Sequence, residues 1–348
     1  MRQLVVLDKA TDAVGVKRVD QLKDAWRERH GLESAGDIAL SHGDARHDDV
    51  AGVEAILGNE SDTFEDTRLS WFGQVGVLSA RNAARIIRDK VGFQFGVVQT
   101  IFISLIIGLI YLQLEVTQSG TQNIAGAFFF IVANQTLTAS SSAFVAVPLE
   151  LPVVIREYHA GLYHLVTWYL SKNVSELPLQ IVLPTLFFVP VYLLVGINQG
   201  VEAFFHMLLV VFLFNSCGLG LGYMVSCLCR RADLAPVVGI AVTLPLMVFG
   251  GVFLNSADTP SYFLWVQYLS PIKYGFEALM KIYWKRVALI PCDEAIENCI
   301  ARTGAQVLQN YNMLGHSAFH DAMLLIILNV GFRTVGFLGL WISLRVSK

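Results

Sequence analysis

Charge is what this chain is short of: Asp, Glu, Lys and Arg make up only 15% of its 348 residues, against about 25% in an average soluble protein. With 54% apolar residues and a mean hydropathy of +0.54, it has too little polar surface to be an ordinary water-soluble globule. Recognisable catalytic signatures are also missing. No G-x-x-x-x-G-K-[ST] phosphate loop, G-x-S-x-G elbow or H-E-x-x-H pair occurs, so the apparatus for nucleotide hydrolysis, serine acyl transfer or metal-assisted hydrolysis is not on this chain. Cysteine is sparse. Of the five, Cys217, Cys227 and Cys229 have no His or acidic companion except Asp233, which marks them as packing residues rather than metal ligands. The first 30 residues hold no sustained apolar core, so no cleavable signal peptide is visible.

What is present is a series of long apolar runs. The one starting at Gly92 reads GFQFGVVQTIFISLIIGLIY, with no charged residue until Glu115; about 20 such residues in a helix match a hydrocarbon core of roughly 30 Å. Runs at 93–112, 123–147, 174–196, 203–228, 234–254 and 320–344 predict an all-α polytopic membrane protein with six transmembrane helices. No Lys or Arg lies between the first and second runs or between the third and fourth. Arg156 and Lys172 lie between the second and third, Arg230 and Arg231 between the fourth and fifth, and Arg345 and Lys348 after the sixth. This alternation places both termini in the cytoplasm, whether of a plasma membrane or an endomembrane protein.

Residues 1–67 are a different polymer. The stretch 31–67 holds ten acids against the single base Arg46, the composition of a solvated, largely disordered cytoplasmic linker, so the membrane domain is read as 68–348. At its start, Arg81, Arg85 and Arg88 recur at helical spacing beside a stripe of Trp71, Val75 and Leu78, which predicts an amphipathic elbow helix lying on the membrane over 70–90. The 255–319 segment falls on the outer side. Its Trp265, Tyr268, Tyr274, Tyr283 and Trp284 suggest a re-entrant helical part that dips back to the interface. On an oxidising outer face Cys292 and Cys299 can close a small disulfide loop, with two separate thiols as the alternative.

Two further features stand out. Arg333 sits near the middle of the sixth run, where a guanidinium costs at least about 2.5 kcal/mol unless it faces protein, water or an acid. Glu277 or another outer carboxylate is a candidate partner, in a role of anchoring or of polar relay. The spacings Gly92-x-x-x-Gly96 and Gly218-x-x-x-Gly222 let helices approach closely, within one copy or between two.

The stretch LELPVVIREYHAGLYH from Leu149 to His164, with Arg156 next to Glu157, runs on into Tyr169-Leu-Ser-Lys and Glu176-Leu-Pro-Leu-Gln. Add Asn134-Gln, Phe249-Gly-Gly-Val-Phe-Leu-Asn, Leu269-Ser-Pro-Ile-Lys-Tyr-Gly-Phe-Glu-Ala-Leu and Gly331-Phe-Arg, and the order closely resembles the ABC-2 type membrane domain of the G subfamily of ABC transporters, the White-type half-transporters, over 68–348. The resemblance implies an exporter fold of six helices per half, dimerised around a central cavity. ATPase domains that hold ATP and Mg drive it from the cytoplasm.

Carried over by position, it implies that Arg156 and Glu157 belong to a cytoplasmic coupling helix over 150–165. Asn134, Leu137, Ile240, Leu244 and Met247 would line the substrate cavity, and Val252 and Phe253 would form an apolar plug. An isolated Asn in a span is equally interhelical glue, and the plug pair equally ordinary packing.

The expected function is therefore the transmembrane half of an ATP-driven exporter of lipids, sterols or other hydrophobic substrates. Its expected partners are a second half-transporter, in a homo- or heterodimer, and a nucleotide-binding domain. No ATPase precedes the membrane domain here, as expected of a fragment or truncated product, or of a chain whose ATPase arrives on another polypeptide. The alternatives are a channel or secondary transporter, or a non-transporting subunit that dimerises with a full-length relative. Ion-relay carriers distribute ionisable groups through several spans, whereas only Arg333 reads as deep.

Overall fold

The computed structural model describes residues 70–252, 261–292, 299 and 301–346, and these are helical with short connections. The acidic stretch 1–67 and Phe253 lie outside them. The helices are α1 Trp71–Arg88, α2 Lys90–Ile110, α3 Gln118–His159, α4 Leu165–Val195, α5 Val201–Cys229 and α6 Leu234–Val248. Following a single 3-10 turn at Ser261–Phe263 come α7 Leu264–Tyr268, α8 Pro271–Trp284, α9 Gly304–Asn310 and α10 Ala318–Val346. Among the described residues, α2, α3, α4, α5 and α10 are long and apolar enough to cross a membrane, and α6 is a shorter apolar helix.

Helix α5 is the hub, packing on α3, α10, α8, α4 and α6. Small residues make this possible. A methyl at Gly218 would stand 2.9 Å from the Thr136 carbonyl oxygen, and one at Gly222 would stand 2.6 Å from the Ala143 side chain. That glycine pair therefore seats α5 on α3 inside one copy. The other spacing does no such work: a methyl at Gly96 would meet nothing.

Helix α3 is longer than its apolar run. Its 42 residues span about 63 Å at 1.5 Å per residue, and it continues through Pro148 and Pro152 to His159. The helix expected over 150–165 is therefore the end of α3 and stops at His159. Residues 150–159 are the last turns of α3, and the chain reverses at 160–164 before α4. Each proline removes one backbone donor, yet Val147, Leu151 and Val154 are all but fully buried, so packing holds the helix together across them.

Helix α6 ends at Val248, short of the expected 254, because the Phe249-Gly-Gly sequence breaks it; Gly251 has φ of 95°. Helix α8 is the re-entrant element, buried along nearly all its length against α3, α5 and α10. Trp265 and Tyr268 before it are exposed, but Tyr274, Tyr283 and Trp284 are core residues. Beyond α8, Cys292 and Cys299 are joined by a disulfide, and Gln118 at the start of α3 pins that loop by donating to the carbonyls of Ala301 and Pro291 at 2.8 and 3.2 Å.

Candidate functional site

The end of the bundle that carries α1 holds a network of ion pairs. Arg81 of α1 forks onto Glu157 near the end of α3, with guanidinium-to-carboxylate distances of 3.1–3.2 Å, and Tyr163 in the following turn donates to the same carboxylate at 2.6 Å. One turn further along α1, Arg85 lies 3.1 Å from Glu150. Glu150 also receives the Lys172 ammonium at 2.8 Å, and Lys172 reaches Glu176 at 3.0 Å. Tyr223 of α5 donates to Glu176 at 2.8 Å. A hydroxyl exchange ties α1 to α4 as well: Ser79 donates to the Ser171 carbonyl, and Ser171 to that of Val75.

These contacts add protein partners to the sequence reading of α1. Its arginines at 81 and 85 face carboxylates of α3, and of its apolar stripe Leu78 is buried in one cluster with Val147, Leu151 and Trp168 while Trp71 stays exposed. The helix is docked on the bundle through this face, while Phe72, Val77 and Ile87 on its other side stay exposed. Burial works against the Arg81 charge, but its hydrogen bonds and attraction to Glu157 outweigh that and raise its pKa above the ordinary arginine value. Burial, followed by the hydrogen bond to Glu157, pushes the Tyr163 phenol well up. Of the expected coupling pair, Glu157 is clamped and Arg156 is exposed.

The expected cavity residues lie on two helices that pack together, α3 and α6. Asn134 and Leu137 are half-buried on α3, Ile240 and Leu244 are half-exposed on α6, and Met247 packs against the core. Val237, Ile240, Leu244 and Val248 recur at helical spacing as the exposed face of α6, while Gly239 presses its opposite side onto Phe144. Val252 is packed against the core at the end of that helix.

Arg333 does not reach Glu277. Its guanidinium donates to the Asn329 side-chain oxygen at 2.8 Å and the Ser216 hydroxyl at 3.1 Å, and it lies 5.8 Å from the Tyr223 ring centre. Helix α8 instead meets α10 through Asp321, about 18 Å along the helix from Arg333 at 1.5 Å per residue. There Lys281 bonds Asp321 at 2.7 Å and Glu277 at 3.2 Å, and both members of the first pair are almost wholly buried. Arg333 is therefore not the lone deep charge. Lys172, Lys281 and Asp321 are buried too, and the available signal was their place inside or beside apolar runs.

A family model described as ABC-2 type transporter matches residues 73–284. The chain belongs to this family. Within it, the likeness is to the White-type half-transporters. The chain is 34% identical to Protein white of Ceratitis capitata over 291 residues, covering 83% of this chain and 43% of that protein. It is 27% identical to the ABC transporter ATP-binding protein/permease wht-1 of Caenorhabditis elegans over 98% of this chain and 52% of that one. Against the broad substrate specificity ATP-binding cassette transporter ABCG2 of Bos taurus it is 28% identical, over 60% of this chain and 32% of the relative. The chain thus spans about half or less of the length of these curated relatives. An ABC-2 domain of this kind is an integral, multi-pass membrane protein, in agreement with the apolar helices.

Proposed function

We propose that this ABC-2 domain is the transmembrane half of an ATP-driven exporter of lipids, sterols or other hydrophobic compounds, and that it works as a homo- or heterodimer. In this reading ATP and Mg bind a nucleotide-binding domain that pushes on the inner ends of α1, α3 and α4, with both termini in the cytoplasm. The observation that carries the reading is the continuity of α3. One unbroken helix runs from Asn134 and Leu137 to Glu157, about 30 Å further at 1.5 Å per residue, and Arg81 and Tyr163 grip its end. A rigid rod held by directional contacts passes on a displacement that a loop would absorb.

At the other end of that rod, the half-exposed Ile240 and Leu244 and the half-buried Asn134 suit a slot between two copies. Apolar walls with one amide per half would hold flat hydrophobic or amphipathic substrates. Beyond the slot, Val252 with Phe253 would be the plug.

The test is reconstitution with an ATP-binding half-transporter of the White type in lipid vesicles, following ATP-dependent movement of a fluorescent sterol. Transport lost in Asn134→Leu and Leu244→Trp, with the dimer intact, supports the reading. Transport without added ATP, or unaffected by both substitutions, contradicts it.

A further inference from the structure

Between α1, α2, α3, α4 and α5 lies a chamber of about 380 Å³ that is not on the face assigned to the substrate slot; its α3 wall is Gln135, Thr138, Ser142, Ala146 and Glu150. Its polar groups fall into two sets. The ionic set is mostly matched internally: Glu150 and Glu176 face Lys172 and Arg85, while Asp89, a third carboxylate, caps the start of α2 by accepting from Gly92 at 3.0 Å. The amide set is not. Gln135 and Asn215, each only 6% exposed, line the chamber. The Asn82 nitrogen and both amide atoms of Gln180 on the same walls are unpartnered.

Buried amides without partners are costly, and two of them, with Gln135 and Asn215 on the same walls, are the pattern of a site. Adjoining it, and sharing Ile86 and Leu179 with it, is a groove of about 510 Å³ lined by Ile87, Phe93, Pro178 and Val182.

We propose that each copy binds an amphiphile here, with an uncharged, hydroxyl-bearing head in the chamber and a single apolar chain along the groove. Amides offer donors and acceptors together, which hydroxyls satisfy in both directions. With Glu150 and Glu176 balanced by Lys172 and Arg85, and Asp89 a third carboxylate of the lining, a phosphate head would bring an unmatched negative charge into a low-dielectric space. Binding needs no ATP and no transport, so this site stands or falls separately from the export reading.

The experiment uses the whole chain in nanodiscs and two photoreactive probes with the same diazirine-bearing chain, a monoacylglycerol and a lysophosphatidic acid. The monoacylglycerol should label 83–94 and 175–183, be displaced by unlabelled monoacylglycerol, and exceed the phosphate probe there. Gln135→Leu should weaken this labelling roughly tenfold, the scale of one hydrogen bond to a buried group. Ala146→Phe, which fills the chamber without removing a hydrogen bond, should do the same and covers the case in which Gln135→Leu fails to fold. Ile240→Ala should leave it unchanged. Equal labelling by the two probes, labelling spread evenly over lipid-facing helices, or labelling that survives Ala146→Phe would overturn the proposal.

Discussion

The two ends of the bundle both use ion pairs, and they use them differently. At the end reached by α8, Lys281 and Asp321 meet with side chains 2% exposed each, enclosed by α8, α5 and α10. At the α1 end, Arg81 and Arg85 remain 49% and 67% exposed while gripping carboxylates of α3. A sealed pair cannot separate without stranding a charge, whereas a half-hydrated pair can open and close at little cost. At the α1 end the hinge-like contacts are those of α1 alone, because Lys172 between Glu150 and Glu176 is itself sealed there.

The largest expected effect breaks the sealed end. Lys281→Met leaves Asp321 buried and unpaired, and should cost about 3–5 kcal/mol, read as a lower thermal midpoint of the purified chain. Adding Asp321→Leu should recover most of the loss. A single variant as stable as the parent would remove the contrast between the ends.

Next comes the hub between them. Gly222→Leu forces α5 away from Ala143 and Ser140 and should cost about 1–3 kcal/mol by overpacking, seen in the same melt. Gly96→Leu, where nothing is near, should be neutral.

At the α1 end the expectation inverts, with a small effect on stability and a large one on work. Glu157→Gln should change stability by about 1 kcal/mol or less, yet lower ATP-driven transport by roughly tenfold, about 1.4 kcal/mol of coupling, when a motor-bearing half is present. Equal losses of stability and transport would make the clamp merely structural.

The smallest effect is in pH. The Tyr163 phenol is raised by burial and by its bond to Glu157, so its contribution is fully present below the ordinary phenol pKa near 10 and is lost as pH rises through the higher folded value. Proteolysis of the 160–164 turn should therefore accelerate only in strong alkali, and Tyr163→Phe should abolish that dependence.

How much of this was legible beforehand differs between elements for physical reasons. The apolar runs and the place of Arg333 were readable because burial in lipid writes itself as local composition. The end of α3 was not, since Pro148 and Pro152 look like breakers and only the burial of Val147, Leu151 and Val154 by other helices overrules them. Arg81 with Glu157, and Lys281 with Asp321, pair across 76 and 40 positions, and single-sequence periodicity carries no information about such partners. The amide chamber was hidden for the same reason. Asn82, Gln135, Gln180 and Asn215 come from four different helices, and each alone reads as an ordinary interhelical polar residue.

Everything proposed for the clamp requires that the turn after α3 and the loop after α8 face opposite sides of the membrane. With Cys217, Cys227 and Cys229 replaced by alanine, single cysteines at the exposed Arg156 and Leu289 can be labelled with a membrane-impermeant maleimide in sealed right-side-out vesicles. The expected result is labelling of Leu289→Cys at once and of Arg156→Cys only after the vesicles are opened. Both labelled from the same side would contradict the account.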